Sequence, residues 1–309
     1  MREYILRQLM TAVPTLLGVS IAVFLMLHLT PGGAVEAIVL QGGAGISAET
    51  MAQMREELGF NDPLYVQYWR FFSKAIRGDF GRSYRTHQSV TTMILKALPG
   101  TAQLAVAGLA IALVLGLSMG IISALRHNTW IDTACMVVAM LGWSLPQFWL
   151  GILFILLFSV YLGWLPITGQ GGPGRLVLPA FTLGLSTAGV TARMVRTGML
   201  EILRMDYVRT ARAKGLRESV VILRHVLRNA LIPVVTVVGL QFGRLLGGTV
   251  VIETVFARQG VGRVALQALL ARDMPTVQGT VLFLAIIYVV INLLVDFSYA
   301  FLDPRIRYV

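Results

Sequence analysis

The sequence predicts an all-α membrane protein that crosses the bilayer six times, with its N- and C-termini cytoplasmic. Three observations carry that reading. Residues of the AVILMFWYC set make up 56% of the 309 positions and charged residues only 13%, with a mean hydropathy of +0.74. A soluble domain carries about 25% charge, so water is not the solvent for most of this surface. Uncharged stretches recur at the roughly 20-residue length a helix needs to cross the hydrocarbon core. The charge that remains, 26 Lys+Arg against 15 Asp+Glu for a net +11, is unevenly placed along the chain. A nucleic-acid binder can be as basic but not as apolar, so nucleic acid is not an expected partner. The single cysteine, Cys135, excludes an internal disulfide and a Cys-based metal site.

No charge falls between Arg7 and Glu36, and Leu9 to Leu29 forms a first span. A cleaved signal peptide is the rival reading, because Arg2 and Arg7 precede an apolar run, but no A-x-A site follows. The second span is expected at Thr101 to Leu125 and the third near Thr133 to Leu162, within the 42 uncharged residues between Asp132 and Arg175. Leu176 to Ala192 is a short fourth span, Leu231 to Ile252 a fifth interrupted by Arg244, and Met274 to Val295 a sixth. The chain thus divides into a cytoplasmic N-terminus (1–8), a first helix (9–29), an outer segment with short helices (30–98) and a core with five further helices (99–309). That core includes a long cytoplasmic loop at 197–229.

Orientation follows from the basic residues in short loops. With the N-terminus inside, the cytoplasmic segments hold fourteen Lys or Arg, and the short outer loops hold four: Arg175, Arg258, Arg263 and Arg272. In the outer segment, Ser47 is a candidate N-cap for a helix ending at Gly59. Asp62 and Pro63 suit the N-cap and first position of another that Gly78 closes. The aromatic residues Tyr65, Tyr68, Trp69, Phe71 and Phe72 fit a helix at the membrane interface or one packed on neighbouring spans.

The cytoplasmic loop is longer than a connector needs. Asp206 is expected to cap a short helix over about Tyr207 to Lys214, with Gly215 in the left-handed position that ends it. Thr210, Ala211, Ala213 and Gly215 keep this helix slim, and Leu200, Leu203, Tyr207 and Ala211 make an apolar stripe. Ser219 is expected to start a second helix that runs through Arg224 and Arg228 into the fifth span. From Arg193 to Arg228 there are nine basic and three acidic residues. Two readings fit: a helix pair that docks in a groove on a cytoplasmic partner, or a basic loop that touches anionic membrane lipid.

The run DYVRTARAKGL, followed by HVLRNALIPVVTVVGLQFG, resembles the cytoplasmic loop of ABC importer permeases of the dipeptide/oligopeptide/nickel type. The similarity extends over essentially the whole chain, through YILRQL, LGFNDPLYVQYWRFF, GDFGRSY, LGWLP, GGTVVIETVFARQGVGR, RDMPTVQG and LDPRIRY. The resemblance implies the type I ABC importer permease fold, in a bacterial inner membrane. It also implies that the segment Asp206, Tyr207, Arg209, Thr210, Ala211, Arg212, Ala213, Lys214 and Gly215 is a coupling helix docking in a cleft of an ATP-hydrolysing subunit. The Glu-Ala-Ala part of the family motif aligns with Arg209, Thr210 and Ala211, and its glycine with Gly215. The glutamate is replaced by Arg209, and no Ile-x-Leu-Pro follows at the usual spacing. TPGGA stands where the family tends to have LPGDP, and ARQG where it tends to have a Trp-Pro-Gly turn. Implied partners are a second homologous permease, two ATP-binding subunits that use ATP and Mg, and a periplasmic or lipid-anchored binding protein. Di- or oligopeptides are the implied cargo, with nickel chelates, glutathione and oligosaccharides as alternatives.

The residues themselves add limits. No G-x-x-x-x-G-K-[ST] phosphate loop is present, so this chain is not expected to bind or hydrolyse ATP, and no cofactor is expected on it. Neither an H-E-x-x-H motif nor a histidine cluster points to a metal or to catalysis. Two readings fit Arg244 in the fifth span, since a central arginine avoids lipid: a pathway residue that attracts carboxylate-bearing cargo, or one half of an interhelix ion pair. Gly247 and Gly248 allow close helix approach, and Pro146 suggests a kink lining the pathway. The competing class is a stand-alone secondary transporter or channel, which needs ion-coupling carboxylates near the midplane. The acidic residues here sit at span ends or in loops.

Overall fold

The computed structural model describes residues 2–29, 56, 61–167, 172 and 174–302, without the side chains of 2–9, 27–29, 232, 235, 236, 240, 244, 246 and 296–302. The expected helix from Ser47 to Gly59, the TPGGA segment and the charged C-terminal tail lie outside the described residues. What is described is helical. The helices are α1 (Arg2–Leu29), α2 (Leu64–Ile76), α3 (Val90–Leu125), α4 (Trp130–Ser144), α5 (Gln147–Phe154), α6 (Gly174–Leu203), α7 (Asp206–Ala213), α8 (Glu218–Val220), α9 (Arg228–Val255), α10 (Val261–Leu270) and α11 (Met274–Leu302). Two π-wound stretches, Ile155–Tyr161 and Val221–Leu227, continue α5 and join α8 to α9. The only pairing of extended backbone among the described residues is a bridge between Arg82 and Ser89.

The helices α3, α6 and α11 are each long and apolar enough to cross a membrane. α4 and α5 with its π-wound extension are apolar enough only when taken together, and they are bent by 111° at the break, as in a broken span or a re-entrant loop. The cause is Pro146, whose ring excludes a continuing helix and which serves instead as the N-cap residue of α5. α1 adds the shorter apolar stretch Met10–Met26. Several helices overrun the expected spans: α3 begins at Val90 and not near Thr101, and α6 continues to Leu203, past Ala192. Charge marks where a chain leaves hydrocarbon, but a helix continues into water for as long as its backbone bonds and packing allow.

The chain forms two compact units, one of residues 1–101 with 259–309 and one of 102–258. In the first, Val90, Ile94 and Ala97 of α3 pack with Val261 of α10, and α11 packs on both α1 and α10. The aromatic face of α2 is divided. Tyr68 bonds Ser20 through its hydroxyl at 2.8 Å and meets Phe24 edge-on at 5.4 Å, whereas Tyr65 and Trp69 are exposed. α2 starts one residue later than expected, with Pro63 as its N-cap residue. The Asp62 carboxylate accepts from Arg70 at 2.8 Å and does not cap. Gly78, at φ +77°, ends the helix as expected.

A buried carboxylate ties together two sequence motifs of this unit. Asp273 accepts from the Ser83 hydroxyl at 2.5 Å, the Tyr84 backbone N–H at 3.0 Å and the Thr276 hydroxyl at 2.7 Å. GDFGRSY and RDMPTVQG are thereby joined across 190 residues. Burial and the Asp273 charge push the Tyr84 hydroxyl up to about 12.

In the second unit α6 is the most buried helix, packed by α4, α5 and α9. Its contacts need small residues. A side chain at Gly184 would meet Ile111 at 2.6 Å, and one at Gly189 would run into the Ala139 carbonyl oxygen of α4. Such glycines let helix backbones approach where no water is released by larger side chains.

Candidate functional site

The loop at 197–229 folds as two helices joined by a tight turn. α7 spans Asp206–Ala213 and Lys214 is its C-cap. Gly215, at φ +76°, then reverses the chain. The Gly215 N–H donates to Arg212 O at 2.9 Å and the Leu216 N–H to Ala211 O at 3.4 Å, the paired bonds of a Schellman ending. The expected cap is corrected: Met205 is the N-cap residue and makes no side-chain cap bond, while Asp206 is the first helical residue. An acidic group there still favours the helix through its dipole.

The buried face also differs from the expected stripe. Val208 is fully buried and Ala211 nearly so, packing with Met199, Val221 and Val226, while Tyr207 is 40% exposed. The stripe was counted through Leu200 and Leu203 as if one helix continued, but the chain turns at Arg204 and Met205 and resets the phase. Tyr207 instead accepts from Asn229 Nδ2 at 3.0 Å and donates to the His225 carbonyl at 3.4 Å. Arg209, Thr210, Ala213, Lys214 and Gly215 face outward, and a side chain at Gly215 would meet nothing within 4 Å. The second helix begins at Glu218 with Arg217 as N-cap residue, one residue before Ser219, and runs without a break into α9. Arg212 closes the turn on Glu218, with Nε and a terminal nitrogen at 3.1 and 2.6 Å. That hydrogen-bonded pairing lowers the Glu218 pKa and raises that of Arg212.

Behind the loop lies a cluster that the spacing of residues did not reveal. Asp132, at the start of α4, is 5% exposed. It accepts both Nε and a terminal nitrogen of Arg196 from α6 at 2.8 Å, the Asn128 N–H at 3.1 Å and the Ser123 hydroxyl. His127 Nδ1 stands 3.2 Å from the same carboxylate. The Arg196 bond holds the Asp132 carboxyl well below the usual range, against the opposing effect of burial, and Ser123, Asn128 and His127 reinforce it.

A cavity of about 210 Å³ in the second unit is lined by Trp143, Leu145, Gln147, Ser186, Thr187, Val190, Gln241 and Leu245, and not by Pro146, Gly247 or Gly248 themselves. Pro146 makes the kink, and its neighbours Leu145 and Gln147 face the cavity. A side chain at Gly248 would stand 3.2 Å from Gln147 Oε1 and 3.4 Å from Leu183, whereas one at Gly247 would meet nothing within 4 Å. The side chain of Arg244 lies outside the described residues; its backbone belongs to α9, between Gln241 and Leu245. Gln147 donates to Ser186 at 3.1 Å, and Thr191 donates to Gln241 Oε1 at 3.4 Å. Gln241 Nε2 is buried without a partner among the described residues, at a typical cost of about 1–3 kcal/mol. Among the described residues no group of three or more His, Cys, Asp or Glu is placed to hold a metal ion.

Comparison with known proteins decides the family. Residues 113–308 match the model of the binding-protein-dependent transport system inner membrane component, and residues 1–105 match its N-terminal companion. The chain belongs to this family. A putative peptide transport system permease protein of Brucella abortus is 44% identical over the full length of both chains. The glutathione transport system permease protein GsiC of Escherichia coli K12 is 42% identical, again over the whole of each. Among solved structures, the inward-facing MetNI methionine ABC transporter matches with a TM-score of 0.56 at 21% identity, over 68% of this chain and 94% of that one. An amino acid ABC transporter crystallised with histidines matches at 0.52 and 16% identity, over 70% and 94%. These two share the fold. The chain is therefore a permease subunit of a binding-protein-dependent importer, a membrane component with several apolar helices.

Proposed function

We propose that this permease imports di- or oligopeptides across a bacterial inner membrane by alternating access, working beside a second homologous permease and two ATP-binding subunits. A periplasmic or lipid-anchored binding protein delivers the cargo. The chain itself catalyses nothing; ATP and Mg belong to the partners. In this reading α1 and α9 supply the first and fifth of six spans, and both termini are cytoplasmic. Residues 99–309 are the core and 197–229 the coupling loop.

The observation that carries the reading is the outward face of α7. Arg209, Thr210, Ala213 and Gly215 present a low, open surface, while Val208 and Ala211 anchor the helix to the bundle. A push on α7 is then passed to α6 through Met199 and to α9 through Val221 and Val226, because packed interiors transmit displacement. Arg244, Pro146, Gly247 and Gly248 are assigned to the transport pathway with the cavity beside them.

Replacing Gly215 by Glu tests the docking. It places a charged side chain on the exposed face at a left-handed position. The expected result is an importer complex whose ATPase activity persists while uptake of a labelled peptide is lost. Unchanged uptake would remove the docking role. The GsiC relative favours glutathione as the second cargo, and competition between trialanine and glutathione for uptake decides between them.

A further inference from the structure

The wall of the cavity holds a donor that the fold does not use. Gln241 is 6% exposed, its Oε1 is engaged by the Thr191 hydroxyl, and its Nε2 has no acceptor among the described residues. Buried polar groups mostly find partners; among the described residues Gln241 Nε2, Ser159 Oγ and Arg258 Nε do not, and of these residues Gln241 lines the cavity. Among the described residues the rest of the wall is uncharged: Gln147, Ser186 and Thr187 are its polar side chains, and Trp143, Leu145, Val190 and Leu245 its apolar ones. Gly248 keeps the space beside the Gln147 amide clear.

We propose that Gln241 is a cargo-binding residue that donates its free Nε2–H to a main-chain carbonyl oxygen of a peptide in transit. The inference rests on the peptide-importer reading and adds its recognition chemistry. A wall of amides and hydroxyls matches what all peptides share, the backbone amide. Weak, repeated neutral bonds suit a transit site, since cargo must leave as readily as it arrives. In this conformation Nε2 is shielded, so water does not satisfy it, and opening of the bundle is the step that brings the acceptor.

The experiment uses the complete importer with its binding protein, in cells without other peptide permeases and in nanodiscs. Gln241→Met keeps the length of the side chain and removes both bonds. Two cargoes are compared at saturation: trialanine, and trialanine with its central carbonyl replaced by thiocarbonyl, a poorer acceptor. At saturation the binding protein is filled with either cargo, so the ratio of maximal rates reports on the permease. For Gln241→Met the maximal uptake rate of trialanine is expected to fall about fivefold to tenfold. The wild-type preference for trialanine over its thio analogue should disappear, while ATPase stimulation by the loaded binding protein persists. An unchanged rate and preference would overturn the proposal. So would a parallel fall in uptake and ATPase activity with the preference retained, which marks a structural role. If the wild-type importer fails to take up trialanine at all, the peptide reading itself fails and this inference falls with it.

Discussion

Arg196 and Arg212 each grip a carboxylate with the same fork, Nε and one terminal nitrogen, yet the two pairs sit in different surroundings. Arg196 holds Asp132 at 2.8 and 2.8 Å, where the Asp132 side chain is 7% exposed and Ser123, Asn128 and His127 complete its shell. Arg212 holds Glu218 at 3.1 and 2.6 Å, with the two side chains 42% and 54% exposed. The first pair joins α6 to the start of α4 and the end of α3. The second closes a turn between α7 and α8. Geometry is common to both, so burial decides what each pair does. Water and salt compete for the exposed pair, which leaves the loop around it adjustable; they reach the carboxylate of the buried pair far less, and its loss leaves a charge stranded.

The largest expected effect follows from that difference. Asp132→Ala should lower stability by about 3–5 kcal/mol, because Arg196 would remain partly buried without its counter-charge. Thermal unfolding of the purified protein in detergent measures it. Asp132→Leu combined with Arg196→Met should recover most of the loss, since an apolar pair of similar volume needs no counter-charge. A single-variant cost no greater than that of Glu218→Gln would dissolve the contrast between the two sites.

Sequence reading reached one of these pairs more nearly than the other, for a physical reason. Arg212 and Glu218 are six residues apart, and Gly215 between them announces the turn that brings them together. The apolar stretches of α3, α6 and α11 and the glycine-closed ends of α2 and α7 were legible in the same way, because charge and glycine act within a few positions. Asp132 and Arg196 are 64 residues apart, and each had a sufficient local explanation: a span boundary and an orienting positive charge. Their meeting depends on how α4 packs on α6, which no local signal encodes. Phase errors have the same origin. Tyr207 was placed on the buried stripe by counting through a break at Met205, and Val208 fills that place. The cavity was foreshadowed by Pro146 and Gly248 but not by Gln241, an uncharged residue among apolar ones whose missing partner is visible only once its neighbours are placed.

A smaller effect tests the packing on which the buried pair depends. The Ala139 carbonyl of α4 lies against Gly189 of α6, where a Cβ would collide with backbone. Gly189→Ala should therefore destabilise by about 1–3 kcal/mol, as overpacked interiors do. It should also disturb the registry of Arg196 with Asp132, two turns further along α6. Gly247→Ala meets open space and should cost nothing measurable. Thermal unfolding of both variants separates a glycine required by close approach from one that is not, and a Gly189→Ala variant no less stable than Gly247→Ala would show that the contact does not govern, since helix propensity favours alanine at both positions.

The smallest effect belongs to the exposed pair. Glu218→Gln should change stability by less than about 1 kcal/mol, and the difference should vanish near 1 M salt, where charges are screened beyond about 3 Å. Acid separates the pairs further. Both carboxyls are held below their ordinary pKa, first by their arginines. The stability each contributes is present above the unfolded value of about 4 and is lost as pH falls through the lowered folded value. Asp132 is held well below the ordinary range, so its contribution should erode over a wide acidic interval, whereas Glu218, half exposed to water, has only a small contribution to lose. Unfolding midpoints of wild type and Glu218→Gln should therefore converge on mild acidification, while Asp132→Asn stays apart from wild type until more acidic pH. A common convergence point for both variants would mean that the shells around the two carboxylates do not differ in the way their burial indicates.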